Sequence, residues 1–302
     1  MPLPFTKAEG TGNDFVVVDL RPGHPAAAGA AGLQDPAVVR EICDRHFGVG
    51  ADGVLAILPS TTGDARMRVL NADGSEAEMC GNGLRCVAKV LYESDPALRR
   101  PTLKIETGAG VLTCLLDVEA GAVRHVTEEM GRPRLTRSEI PLAPGGHDPT
   151  SRALRESIRA RDREFRFTAV SMGNPHAVIF VDSDEDLRTL ATTYGPILEV
   201  ADRFPRRTNV EFARVRGKEI DLVVWERGSG LTLACGTGAC ATVVAAAALE
   251  ERLAPGVETP VHLPGGTLSI TVAPDYSGVR LRGPARIAFQ GELDVEQFAR
   301  AR

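Results

Sequence analysis

One pattern occurs twice in this chain. Asn71-Ala-Asp-Gly-Ser-Glu-Ala-Glu-Met-Cys80-Gly-Asn-Gly-Leu-Arg-Cys86 has a counterpart in Glu226-Arg-Gly-Ser-Gly-Leu-Thr-Leu-Ala-Cys235-Gly-Thr-Gly-Ala-Cys240. In each copy a polar residue precedes a cysteine by 9 positions, and that cysteine opens a Gly-x-Gly turn before a good helix former. The surroundings repeat as well. Gly12-Asn13-Asp-Phe-Val-Val-Val18 parallels Gly173-Asn174-Pro-His-Ala-Val-Ile-Phe-Val181. A chain of 302 residues has room for two such units of about 150 residues each.

Apolar spacing gives each unit the same order of elements. Asp35-Pro36 predicts a helix start, with Asp as N-cap and Pro at N1. Val39, Ile42, Cys43 and His46 share one face of that helix, and Gly48 is its expected stop. Leu187, Leu190, Ala191 and Tyr194 mark its counterpart over 184–195. Strands are expected over 15–20, 54–58 and 67–70, and over 210–215 and 220–225. A helix then follows each Cys turn, over 84–93 and 239–249, and a hairpin closes each unit, over 103–117 and 261–272. The helix over 239–249 is apolar nearly all round, so it must be buried on every side. Many short strands around such a helix imply a curled sheet wrapped on it. Residues 21–34 read as a loop, and 143–164 as a loop or short surface helix, with the join between units near 128–134.

The bulk properties exclude several classes. Net charge is −5, so nothing resembles the basic footprint of a nucleic-acid binder. No apolar run reaches a membrane span of about 18 residues, and the first residues lack the pattern of a signal peptide. The expectation is a cytoplasmic protein whose six cysteines are free thiols.

Two cysteines stand apart by setting. A thiol at a helix N-terminus feels unpaired N–H groups and the helix dipole, which are expected to lower its pKa from about 8.5. The same N–H groups form a seat for a carboxylate. Two such units acting on one carbon could remove a proton with one sulfur and deliver one with the other. That is inversion by two-base proton transfer, with the developing charge held by the N–H donors. Against this stands the plain reading of both as core cysteines. Matched positions in two copies argue for function, whereas Cys43, Cys86, Cys114 and Cys240 lack the setting. A metal site is a weaker competitor: only Cys235 and Cys240 have C-x4-C spacing, and no paired His motif completes a ligand set. A pyridoxal cofactor needs a Schiff-base lysine, and Lys7, Lys89, Lys104 and Lys218 lie in no site-like motif. The chemistry is expected to use no cofactor and no metal.

Polar residues at strand ends complete the candidate set. Asn13 and Asn174 occupy equivalent turns, Asn71 and Glu226 equivalent positions before the cysteines, and Asn209 and Arg227 lie close by in sequence. Any one of these asparagines could be a turn former. His176 could be a satisfied structural histidine, and its place after Gly173-Asn174-Pro175 makes it a candidate to tune a thiol.

These residues together resemble the diaminopimelate epimerase family. The likeness rests on Gly12-Asn13-Asp-Phe15, Arg45-His-Phe-Gly-Val-Gly-Ala-Asp-Gly53, Asn71-Ala-Asp-Gly-Ser-Glu76, Cys80-Gly-Asn-Gly83, Met172-Gly-Asn-Pro-His176, Trp225-Glu-Arg-Gly228 and Ala234-Cys-Gly-Thr-Gly238. It implies a mixed α/β (α+β) fold of two pseudo-symmetric units, each a curled, barrel-like β-sheet around a central helix. The units would be 1–128 and 129–284, with the tail from about 285 to 302 returning to the first. It implies cofactor-independent interconversion of LL- and meso-diaminopimelate by a homodimer, on the route to lysine and peptidoglycan precursors. Cys80 and Cys235 would be the acid–base pair, with Cys235 the acceptor and Cys80 the donor from LL to meso. Gly81, Asn82, Gly236 and Thr237 would hold the carboxylate beside the inverting carbon. Asn71, Asn209, Glu226 and Arg227 would hold the far end, Asn13 and Asn174 would line the pocket, and His176 and Glu226 would tune the thiols. Gly53 departs from relatives that carry Gln there. Two other readings remain open at this point. One is a racemase or epimerase of proline, hydroxyproline or histidine on the same fold. The other is a thiol redox switch or a non-catalytic amino-acid binder.

Overall fold

The computed structural model describes residues 2–143 and 145–294, which fall into two compact units. The first is Met1–Glu128 with Gly283–Arg302, and the second is Glu129–Arg282. Of the tail, residues 295–302 lie outside the described residues.

In chain order the first unit has β1 (Pro2–Gly10), β2 (Asn13–Asp19), a 3-10 helix (Pro25–Gln34), α1 (Pro36–Cys43), β3 (Gly53–Leu58), β4 (Ala65–Asn71), β5 (Glu76–Ala77), α2 (Gly81–Ser94), β6 (Thr102–Thr107), β7 (Gly110–Glu119) and β8 (Ala122–Glu129). The second has β9 (Glu156–Ala160), β10 (Arg163–Ser171), β11 (Pro175–Phe180), α3 (Leu187–Glu199), β12 (Asn209–Arg216), β13 (Glu219–Glu226), β14 (Gly230–Leu231), α4 (Gly236–Val244), β15 (Thr259–Leu263), β16 (Gly266–Val272) and β17 (Val279–Pro284). The chain then returns to the first unit as β18 (Arg286–Asp294).

Pairing in the two units follows one plan. β1 runs antiparallel to β18 and β2, β2 parallel to β3, and β3 antiparallel to β4. β4 carries β5 and runs parallel to β6, and β7 and β8 follow antiparallel. Likewise β10 runs antiparallel to β9 and β11, β11 parallel to β12, and β12 antiparallel to β13. β13 carries β14 and runs parallel to β15, and β16 and β17 follow antiparallel. Even the registers match. Phe15 faces Gly53 as His176 faces Asn209, and Cys114 faces Glu128 as Ile270 faces Leu281.

Strand alternation places the core on both faces of each sheet. Val17, Leu55 and Val69 turn to α2, whose Leu84, Val87 and Leu91 are fully buried. Val16, Val18, Val54 and Leu70 turn to α1 and the 3-10 helix. Because α2 touches β1, β2, β3, β4, β6, β7 and β18, the sheet must curl around it. The second unit does the same with α4 inside and α3 outside. Each fully buried Leu or Val contributes about 1.5–3 kcal/mol relative to exposure.

Several expectations from the sequence need correction. Residues 25–34 form the 3-10 helix rather than loop, started by Pro25 at its first turn and anchored by the buried Ala26 and Leu33. The helix α1 starts as expected, with the Asp35 side chain accepting from Ala37 N–H at 2.8 Å, but it stops at Cys43. Asp44 ends it, because its carboxylate accepts from the N–H groups of His46 and Phe47, at 2.7 and 2.8 Å. His46 is therefore exposed in the turn and shares no buried helix face. Gly195 does not end α3, which continues through Pro196 to Glu199. Gly195 is instead the point where α3 meets the sheet, since a Cβ there would lie 2.6 Å from Trp225 Cβ. Residues 143–164 hold β9 and the start of β10, and no helix among the described residues. The helix over 239–249 starts earlier, at Gly236, and its last turn, Ala245–Leu249, widens to a π-turn.

Burial also sets a limit on alkaline stability. It pushes the Cys43 thiol up to about 11, and raises Cys86, Cys114 and Cys235 as well. Unfolded thiols titrate near 8.5, so below that pH both states stay protonated and the full stability is present. Above it the unfolded chain loses protons first, and each thiol removes up to about 1.4 kcal/mol per pH unit. We expect the melting temperature to fall steadily from pH 8.5 to 11, which thermal melts in a pH series would measure. A flat profile over that range would contradict the buried, protonated thiols.

Candidate active site

Both repeated cysteines are helix N-caps. Cys80 caps α2 in extended backbone (φ −144, ψ 112), and its sulfur accepts from Gly83 N–H at 3.5 Å. Cys235 caps α4 in the same conformation (φ −123, ψ 107). The Gly-x-Gly sequence suits a closely packed helix start. A Cβ on Gly83 would lie 3.0 Å from Leu55 Cδ2, and one on Gly238 would lie 3.0 Å from Glu211 Oε1. A Cβ on Gly81 would lie 3.1 Å from Glu128 Oε2, and one on Gly236 would lie 3.1 Å from Leu281 Cδ1. The two helix starts are thus held in identical fashion against different side chains.

Around Cys80, which is half-buried, the structure gathers Asn13, Gly81 and Asn82. Asn13 Oδ1 accepts from Asn82 Nδ2 at 3.2 Å and from the Cys80 thiol at 3.8 Å. Asn13 Nδ2 donates to Asp52 Oδ2 at 2.7 Å. Asn82 Oδ1 accepts from Arg85 Nη2 at 2.5 Å, and Arg85, itself fully buried, donates to Glu128 Oε1 at 3.4 Å. Burial pushes the Glu128 carboxyl up to about 7, against the pull of the Arg85 charge. Asn71 ends β4 and donates to Ser75 Oγ at 2.9 Å. Gly53 pairs with Asn71 across β3 and β4, and a Cβ at Gly53 would lie 2.6 Å from Leu70 O. A glutamine at 53 therefore requires the strand to shift.

Around Cys235 the structure gathers Asn174, His176, Glu226 and Thr237, and adds Glu211. His176 and Glu211 are both fully buried, joined by His176 Nδ1 and Glu211 Oε1 at 2.6 Å. His176 Nε2 donates to Asn174 Oδ1 at 3.0 Å. The pair is then imidazolium with carboxylate, or imidazole with carboxylic acid, and is neutral as a whole either way, which makes its burial tolerable. Asn174 Nδ2 donates to Thr237 Oγ1 at 3.4 Å, and Thr237 Oγ1 meets the Cys235 sulfur at 3.5 Å, a contact in which either atom can donate. His176 thus reaches the thiol through Asn174 and Thr237.

The thiol pKa expected from the helix N-terminus is overturned at Cys235. Burial raises it well above the ordinary thiol range, and the Glu226 and Glu211 carboxylates raise it further. The Thr237 hydroxyl opposes them. Desolvation of a thiolate that is only 5% exposed outweighs the dipole of one helix start.

Asn209 and Arg227 form a clamp beside this group. Asn209 Nδ2 donates to Pro175 O at 3.1 Å and its Oδ1 accepts from Arg227 N–H at 2.9 Å, leaving one side-chain N–H unspent. The Arg227 side chain is exposed and donates to Arg206 O at 3.3 Å. Glu226 accepts from Thr232 Oγ1 at 2.6 Å.

Sequence reasoning missed Glu211, Arg85 and Glu128. Glu211 left a faint trace, as a charged residue between Val210 and Phe212 in an apolar strand two positions after Asn209. Arg85 follows the Cys80 turn on a helix whose other nearby positions are apolar. Glu128 stands beside the exposed Glu129 and gave no signal.

A family model described as diaminopimelate epimerase matches residues 5–136 and 168–288. The diaminopimelate epimerase of Pelotomaculum thermopropionicum is 48% identical over 293 residues, covering 96% of this chain and 98% of the relative. That of Geobacillus thermodenitrificans is 46% identical over 290 residues, covering 95% of each. Among solved structures, a hydroxyproline epimerase from Agrobacterium vitis superposes with TM-score 0.65 at 16% identity, over 97% of this chain and 91% of the other. A Bacillus anthracis phenazine biosynthesis protein of the PhzF family gives 0.67 at 16%, over 97% and 99%. These two share the fold.

Proposed function

Because the chain belongs to the diaminopimelate epimerase family, we propose that Cys80 and Cys235 are the two acid–base groups that invert one carbon of diaminopimelate. The enzyme is an isomerase that epimerises diaminopimelate, a step of lysine biosynthesis. The observation that supports the thiol assignment is the identical placing of both cysteines as N-caps of the two buried helices. Each helix start offers N–H groups to a carboxylate, and each sulfur stands beside them.

The surroundings of the thiols differ in sense. Thr237 Oγ1 stands 3.5 Å from Cys235, where its O–H can donate to the sulfur once the thiol has lost its proton, which favours a thiolate when a proton is to be taken. Asn13 Oδ1 accepts from Cys80, which favours a thiol ready to give one. This supports Cys235 as acceptor and Cys80 as donor from LL to meso, with the roles exchanged on return. The high thiol pKa at Cys235 makes its thiolate, once formed, a strong base, and donors placed before the reaction limit the cost of forming it. Gly81, Asn82, Gly236 and Thr237 hold the carboxylate beside the inverting carbon. Asn71, Asn209, Glu226 and Arg227 receive the far end, and Arg227, exposed and cationic, pairs with the second carboxylate. Asn13 and Asn174 line the pocket. His176 tunes Cys235 through Asn174 and Thr237, and Glu226 tunes it through its charge. No cofactor is needed, and the enzyme is expected to work as a homodimer in the cytoplasm.

A second charged end distinguishes this substrate from monocarboxylate amino acids. We expect kcat/KM for diaminopimelate to exceed that for proline, hydroxyproline or histidine by at least about 10³-fold, the loss that follows when a charged pairing goes unmade. A chiral chromatographic panel measures it. Faster inversion of any monocarboxylate would contradict the assignment of the far end.

A further inference from the structure

The registers of the two units identify which residues occupy equivalent places. Cys80, Gly81 and Arg85 of α2 correspond to Cys235, Gly236 and Cys240 of α4, and Glu128 of β8 corresponds to Leu281 of β17. One repeat fills this place with a small thiol and a leucine. The other fills it with an arginine and a glutamate, each at most 2% exposed. Apolar packing alone does not call for that ion pair, because its equivalent does without.

Arg85 is a donor only, and it donates to Asn82 Oδ1 at 2.5 Å, Thr11 Oγ1 at 3.3 Å, Pro284 O at 3.2 Å and Glu128 Oε1 at 3.4 Å. At the other end of the chain of bonds, Asp52 is an acceptor only and takes Asn13 Nδ2. Between them lie two side-chain amides, each of which could turn over if left alone. With Arg85 at one end and Asp52 at the other, only one sense is allowed. Asn82 must turn its oxygen to Arg85 and its NH2 outward to Asn13, and Asn13 must turn its oxygen to Asn82 and Cys80.

We propose that Arg85, anchored by Glu128, is a positioning residue for the Cys80 half of the site. It holds the oxygen of Asn82, as Asp52 holds the NH2 of Asn13, so that Asn82 presents N–H to the substrate carboxylate and braces Asn13 as an acceptor for the Cys80 thiol. Glu128 holds the guanidinium through Oε1. Its second oxygen, which has no hydrogen-bond partner among the described residues, lies against the start of α2, where the helix dipole favours negative charge. This inference rests on the reading of Cys80 as an acid–base group.

The test puts the second repeat's own residues into the first. The double variant Arg85→Cys with Glu128→Leu copies the pair found at Cys240 and Leu281, and Glu128→Gln keeps an oxygen for Arg85. Three quantities are measured: melting temperature, KM and kcat with diaminopimelate, and the iodoacetamide alkylation rate of each cysteine by peptide mass spectrometry. The double variant is expected to melt within about 5 °C of the parent, since a well-packed apolar pair can replace a buried ion pair at little cost. Its KM should rise at least tenfold with a smaller fall in kcat. Alkylation at Cys80 should speed up at least threefold as Asn82, no longer held by Arg85, stops bracing Asn13 beside the thiol, with Cys235 unchanged. Glu128→Gln alone, which keeps Arg85 anchored, should leave KM within about threefold of the parent. A double variant that melts like the parent, with KM and the Cys80 rate both within twofold, would overturn the proposal. So would equal changes in the rates of Cys80 and Cys235, which indicate general loosening. The alkylation rates report on the network whether or not diaminopimelate is turned over, so failure of the functional reading shows separately, as an inactive parent enzyme.

Discussion

Alanine at Cys80 or at Cys235 is expected to lower kcat/KM for diaminopimelate by at least about 10³-fold, within the range that general acid–base groups contribute. Inversion needs a proton removed from one face and another delivered to the opposite face, so neither sulfur can stand in for the other. Both variants should bind substrate, because the carboxylate seat is made by backbone N–H groups and by Asn82 and Thr237. They should also fold. Cys80 is half-buried, and Cys235 gives up only a sulfur atom beside Gly238 and Thr237. Kinetics in both directions, with calorimetric binding, separate loss of chemistry from loss of binding. A variant that keeps more than about a tenth of the parent kcat/KM would remove that cysteine from the acid–base pair.

Loss of Glu211 is the second large effect. Removing one partner of a buried pair strands the other, at about 3–5 kcal/mol. Glu211→Ala leaves His176 fully buried with Asn174 as its remaining partner, so a fall in melting temperature of several degrees is expected. Without its anchor the histidine no longer fixes Asn174, and Asn174 no longer fixes Thr237. We expect kcat to fall by about 10–100-fold, as when a group that orients a catalytic residue is lost. The charge acts as well. Glu211 helps to raise the Cys235 thiol, so its removal lowers that pKa, though burial keeps it above the ordinary range. Alkylation of Cys235 should accordingly begin at lower pH than in the parent. Glu211→Gln, which keeps an oxygen for Nδ1, should lose less stability than Glu211→Ala. If Glu211→Ala retained parent kcat and Cys235 reactivity, the His176–Glu211 pair would be a packing feature only.

What the sequence carried plainly was local and repeated. Cys-Gly-x-Gly marks a helix start in both its copies here, and two copies at equal distance from Asn71 and Glu226 announce a duplication. Apolar runs located the strands next to the repeated turns, β2 to β4, β6, β7, β12, β13, β15 and β16, for the same reason. The elements that escaped notice lacked such marks. β9 is rich in charge, with Glu156 and Arg159 in five residues, and it exists because β10 offers it an edge. Proline and alanine over 25–34 look like a linker until Leu33 and Ala26 find a core to enter. Gly195 looks like a helix stop because glycine usually serves that role, yet here it admits Trp225. Buried charge was the hardest to see. Nothing in the order of residues says that Glu128 lies inside and Glu129 outside. That follows from the β7–β8 register and from Arg85 on a helix more than 30 residues upstream. The pKa of Cys235 escaped for a related reason: the helix start can be read locally, but the depth of burial and the two carboxylates cannot.

In the proposed reaction two thiols act on opposite faces of one carbon. Turnover of stereochemically pure LL-diaminopimelate in deuterated water tests it most directly. Each inverted centre is expected to carry deuterium from solvent, and Cys80→Ala and Cys235→Ala are each expected to abolish inversion. Inversion that retains the original hydrogen, or that persists in either variant, would contradict it.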